Sequence, residues 1–190
     1  MTGYIKNLIL LKLMIYINNL VEKQFRSEPC FYLFKHLGLL CCIVRMSHIG
    51  CLNGYVSVRR NSKLYNKRYS DCVEIDGEKI LSGAKLGLLN IEITNLDVYS
   101  ISIESVINVH GGITFSSNNI YGCFNPNVFG KRLYWFGFDS AHFGDAPVFI
   151  DRNLASLYSG MDHVYKDFVF VKEQTESLAE QLLLLNDLIK

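Results

Sequence analysis

Several features that announce a function are scarce in this chain. Of its 190 residues 3 are prolines, so no proline-rich linker or extended polyproline tract exists. Charged residues make up 19% and nearly cancel to +1, which leaves no broad basic footprint for duplex nucleic acid. The apolar runs Leu8–Leu13 and Phe31–Val44 are interrupted by Lys12 and by Lys35-His36, and neither approaches the ~20 residues of a stable membrane span. Six cysteines are present (Cys30, Cys41, Cys42, Cys51, Cys72 and Cys123), but no C-x-x-C pair and no zinc-module spacing. Free thiols in a reducing compartment, and so a cytoplasmic location, are the expectation. No G-x-S-x-G elbow, P-loop or G-x-G-x-x-G occurs. Cys123 and Ser140 are the nearest nucleophile candidates, and neither has a supporting signature.

What is present suffices for a core: 49% of residues are hydrophobic and 13% aromatic. The length suggests one domain with an appendage. Residues 1–45 differ in kind from the rest. Six basic residues stand there against Glu22 and Glu28, a net +4, while the remainder carries −3. We expect 1–45 to be a basic apolar leader outside the native domain, with Met46 marking the true start. A membrane-surface anchor and a helical hairpin packed on the body are the alternatives. Residues 46–190 are then a single α+β domain, a mainly antiparallel sheet packed against a C-terminal amphipathic helix.

That helix is the clearest element. Phe168, Val171, Thr175, Leu178, Leu182, Leu185 and Ile189 recur at spacings of three and four, and Asp167 stands where an N-cap belongs. Packing on a sheet is the reading preferred, and a homo-oligomeric seam is its alternative. Strands are expected at Gly54–Val58, Leu88–Thr94, Val98–Ile103, Ser105–His110, Ile113–Ser116 and Arg132–Asp139, with a turn at Asp76-Gly77.

Two segments can carry chemistry. In the first, Val109-His110-Gly111-Gly112-Ile113-Thr114-Phe115-Ser116, a histidine ends a strand. The two glycines permit backbone conformations closed to other residues, and successive N–H groups in such a turn can receive an anion. In the second, an aromatic strand runs into a loop bearing Asp139, His142 and Asp145. A carboxylate beside an imidazole fixes its tautomer and raises its basicity, as general-base catalysis needs. Asp, His and Asp can also hold a divalent metal, with His110 as a further ligand. One of the two acids is expected to cap a turn instead. If the two strands are neighbours, His110 and His142 meet at one sheet edge, and Tyr55, Phe115, Trp135 and Phe138 can wall a site for a flat ring. For about half of these aromatics the plainer reading is ordinary core.

The run from Gly54-Tyr55-Val56 through His110-Gly111-Gly112-Ile113-Thr114-Phe115-Ser116 and Trp135-Phe136-Gly137-Phe138-Asp139-Ser140-Ala141-His142-Phe143-Gly144-Asp145 resembles a family of small phage and prophage proteins. The closing Glu176-Ser177-Leu178-Ala179-Glu180-Gln181-Leu182 resembles that family's last helix. The resemblance covers about Met46 to Leu182 and implies a start near Met46. It departs where the family reads Gly-His-Pro and this chain has Asn61-Ser62-Lys63, so no third histidine is implied there. Asp76–Glu104 reads as an added hairpin. The context implied is an accessory protein acting in the cytoplasm of an infected or lysogenic cell. By analogy alone, such proteins counter host defences, some by sequestering nucleotide-derived signals.

Three functions follow as expectations. The first is a binding module for a small phosphate- or nucleotide-containing ligand, with His110, Gly111, Gly112, Thr114, Tyr55, Trp135, Phe138, Asp139 and His142 as ligand-binding residues. The second is a hydrolase in which His142 is the general base, Asp139 or Asp145 orients it, and His110 stabilises the transition state or shares a metal. The third is a protein-interaction inhibitor of a host enzyme. No organic cofactor is expected; a divalent metal is the candidate.

Overall fold

The computed structural model describes residues 23–47, 49–81, 98–120, 132–146 and 163–190. The expected strand Leu88–Thr94, Cys123 and the leader's first 22 residues lie outside them. Among the described residues seven strands are present: β1 (Phe31–His36), β2 (Leu39–Arg45), β3 (Leu52–Arg59), β4 (Cys72–Asp76), β5 (Val98–Ser102), β6 (Phe115–Ser117) and β7 (Leu133–Phe138). The short helices α1 (Gly77–Leu81) and α2 (Ile103–Val106) accompany the long α3 (Phe168–Leu188). Five strands form one antiparallel sheet in the order β1-β2-β3-β7-β6, and β4 pairs with β5 in a two-stranded ribbon.

The long helix packs on β2 and β3 as its periodicity predicts. Val171, Thr175, Leu178, Leu182 and Leu185 are fully or almost fully buried, together with Val56, Val58, Phe136 and Phe138 of the sheet. Asp167 caps the helix, its carboxylate accepting the Phe170 N–H at 2.8 Å. The α+β class and the helix-on-sheet arrangement agree with expectation.

The boundary at residue 45 does not. Strands β1 and β2 lie inside the supposed leader, and β2 is hydrogen-bonded to β3 from Cys41↔Val56 to Arg45↔Leu52. Cys41, Cys42 and Ile43 have no exposed surface. The lysine and histidine that interrupt the apolar run mark a hairpin turn, where Leu37 and Gly38 both have positive φ (46° and 83°). That pattern suits a two-residue turn whose twist matches its strands. Arg45 is nearly buried and ties this hairpin to the body: it donates to Glu28 at 2.7 Å, to the Gly50 carbonyl at 2.7 Å and to the Tyr165 hydroxyl at 2.9 Å. Glu28 also accepts the Phe168 N–H at the start of α3.

Two further expectations are corrected. Ser105–His110 is not a strand, because α2 occupies Ile103–Val106 and buries Ile103 and Val106. The Asp76-Gly77 turn does not join adjacent strands; it starts α1, and β4 finds its partner in β5.

Candidate functional site

The site is built where β7 ends beside the turn that follows α2. Gly112 N–H donates to the Val109 carbonyl at 2.9 Å, closing a turn with His110 and Gly111 at its centre. Gly111 has φ +68°, the left-handed value such a turn asks of its third residue. Helix α3 holds this turn from behind. Gln181, 1% exposed, accepts the Asn108 N–H and donates to the Asn108 carbonyl. One helical turn pair earlier, Gln174 accepts the His110 N–H at 2.9 Å. These two glutamines were missed in the sequence, although their spacing of seven puts them on one helix face.

On the other side, β7 runs into the Asp139–Asp145 loop. Asp139 is a positioning group: Oδ1 accepts the Ala141 N–H at 3.1 Å and Oδ2 accepts the Thr114 hydroxyl at 2.8 Å. Ser140 is not a nucleophile candidate, since it is buried and its hydroxyl donates to the Leu52 carbonyl at 2.7 Å. Asp145 turns back into the loop and accepts the His142 N–H at 2.9 Å. Its backbone bridges to Val164, which brings Lys166 to 3.7 Å from Oδ1.

The two histidine segments converge on Asp145. His110 Nε2 lies 2.7 Å from Oδ2, and His142 Nδ1 lies 3.7 Å from the same oxygen and 3.7 Å from Asp139 Oδ1. The imidazoles stand edge to face at 5.4 Å, and Phe170 packs edge to face on His110 at 5.3 Å. Asp145 is only 4% exposed, so its charge meets little water and depends on these neighbours.

His110, His142 and Asp145 present one ligand atom each, all within 4.8 Å of one another. Zinc-ligand bonds of ~2.0–2.1 Å in a tetrahedral arrangement put ligand atoms ~3.3 Å apart. The group would therefore close on an ion by small side-chain rotations, with the 2.7 Å His110–Asp145 bond opening slightly. The buried His142 Nδ1 has no hydrogen-bond partner, which leaves a lone pair or a proton to be used. Cys51 takes no part: burial, with the charges of Asp145 and Asp139 adding, pushes its thiol up to about 11.

Of the four residues named for an aromatic wall, Tyr55, Trp135 and Phe138 do not form one, and the fourth, half-buried Phe115, packs edge to face on Tyr55 at 5.2 Å. Tyr55 lies over Gly137 of the neighbouring strand, where a β-carbon would come within 2.4 Å of its ring. Phe138 lies over Gly54 in the same way, but on the opposite sheet face, against α3. Trp135 is 3% exposed and packs with Tyr55, Cys42 and Val44 on the sheet face away from α3. All three are core, as their burial explains. The Gly111-Gly112 turn also offers less to an anion than expected, because the Gly112 N–H is already bonded. Thr114 likewise donates its hydroxyl to Asp139. No protein-family model, no curated protein and no solved structure matches the chain.

Proposed function

We propose that the chain holds one divalent transition-metal ion on His110, His142 and Asp145 and uses it to hydrolyse a small-molecule ligand. The setting is the cytoplasmic accessory role of the phage type that its motifs resemble. The observation that carries this reading is the buried Asp145 carboxylate, 2.7 Å from one imidazole nitrogen and 3.7 Å from another. Two imidazole nitrogens and one carboxylate oxygen suit zinc, manganese or ferrous iron and leave a position open for water. An ion held there would supply a nucleophile from water, a role for which no side chain among the described residues is placed. Asp139 holds the loop that carries His142, through the Ala141 N–H and the Thr114 hydroxyl, and Lys166 balances the charge of Asp145.

A second reading is sequestration of an intact ligand without turnover. It is favoured by the His110–Asp145 hydrogen bond, which satisfies the carboxylate without any ion and fixes His110 as a recognition group.

The test is a turnover assay. Chelator-treated protein is reloaded with Zn²⁺ or Mn²⁺ and assayed on a panel of esters and phosphoesters. Metal-dependent turnover that His142→Ala abolishes supports the hydrolase. A bound ligand recovered unchanged after denaturation, with no turnover on any substrate, supports sequestration. Full turnover in metal-free protein overturns the metal reading.

A further inference from the structure

We propose that a cleft at the far end of the β3–β7 ladder binds a small anion carrying two or more phosphates, separately from the His110–His142–Asp145 cluster. The antiparallel register decides what meets there. Arg59, the last residue of β3, pairs with Leu133, the first of β7, so Arg59 and Arg60 leave one strand where Arg132 enters the other. These three arginines, Asn61 and Leu133 line a cleft of about 480 Å³. That is within the ~300–1,000 Å³ typical of small-molecule sites.

The charge of the cleft is unbalanced. Arg59, Arg60 and Arg132 are exposed, and among the described residues none of them has a carboxylate partner. Arg45, by contrast, is paired with Glu28 in the interior. Like charges lining one cleft repel, and a bound anion removes that cost. The residue type matters as well. A guanidinium offers a planar fork that meets two phosphate oxygens at once, where a lysine offers a point charge. Three forks around one cleft exceed what a single phosphate oxygen pair uses, which points to pyrophosphate or a nucleoside polyphosphate. Leu133 provides an apolar floor and packs with the Trp135 cluster.

The cleft is distinct from the histidine centre. Gly54↔Phe138, next to the Asp139 loop, and Arg59↔Leu133 are opposite ends of one ladder. Five residues at ~3.4 Å each put them ~17 Å apart. The inference therefore stands whether or not the histidines hold a metal.

The test uses the full chain, with inorganic pyrophosphate and ATP as probes. Binding is followed by calorimetry and by the fluorescence of Trp135, the sole tryptophan. Saturable one-to-one binding is expected, weakening about 10-fold or more in Arg59→Gln and in Arg132→Gln, since each removes a charge-assisted pair. Arg132→Lys keeps the charge without the fork and is expected to weaken it by about 3-fold or more. His142→Ala is expected to leave it unchanged. The proposal is overturned if neither probe binds saturably, if the arginine variants bind as the parent does, or if only a single-stranded oligonucleotide binds.

Discussion

The imidazole of His142 lies so close over Gly111 that a β-carbon on that residue would stand 2.0 Å from its Cε1. A glycine in the first motif thus shapes the place of a histidine in the second. Gly111→Ala meets both this contact and a left-handed φ. We expect it to cost about 1–3 kcal/mol of stability and to displace His142, with metal affinity falling about 10-fold or more. Gly112→Ala is the control. It shares the positive φ but meets nothing within 4 Å, so it should lose stability by about 1 kcal/mol and keep its metal. Thermal melts and metal titrations of both variants decide this.

The hairpin of β1 and β2 makes a second prediction. Deleting residues 1–45 strips two strands from the sheet and leaves β3 with an unpaired edge. The truncated chain should fail to fold cooperatively. Glu28→Ala probes the same junction in the full chain, since it leaves buried Arg45 without its carboxylate; about 3–5 kcal/mol should be lost. Chemical denaturation measures the variant, and amide spectra report on the truncation.

The third prediction concerns thiols and pH. Burial pushes Cys41 up to about 12 and Cys51 to about 11 from an ordinary 9.0. Both therefore stay protonated in the folded state at pH 8, and thiolate is the reactive form. Exposed Cys30 and Cys72 should be alkylated in native protein, and Cys41 and Cys51 only after unfolding. Mass mapping distinguishes the sites. The linked stability has a definite sign. A folded-state pKa raised above the unfolded value contributes stability that is fully present below pH 9 and lost as pH rises toward 11 and 12. Denaturation midpoints should accordingly fall above pH 9, and less so in Cys51→Ala.

The fourth prediction separates support from chemistry. Gln174→Ala frees the His110 N–H and should lower metal affinity by about 10-fold. Gln174→Glu keeps the acceptor and should restore most of it.

Legibility differed by element for physical reasons. Helix α3 repeats its apolar residues over 21 positions, long enough for a 3.6 period to stand out, and Asp167 supplied the cap. Strand β7 was readable from its aromatics. The hairpin of β1 and β2 was not, because both faces of β2 are buried and a strand buried twice shows no alternation. Its local signals were the Lys35-His36 break and Gly38 inside one apolar run. For the site, the convergence of His110, His142, Asp139 and Asp145 could be reasoned from strand-end motifs. The destination of Tyr55 and Phe138 could not: each fills the space over a glycine on the adjacent strand, and that depends on register. Gln174 and Gln181 of α3, and Lys166 just before it, reach the site from a segment distant in sequence.

Metal stoichiometry is the most direct measurement. Purified protein, stripped with chelator and titrated with Zn²⁺ or Mn²⁺ in a calorimeter, should take up one ion per chain. Asp145→Asn and His142→Ala, each confirmed as folded by its melting curve, should take up none. A folded parent protein that binds neither ion, or variants that bind as tightly as the parent, would contradict a metal centre on His110, His142 and Asp145.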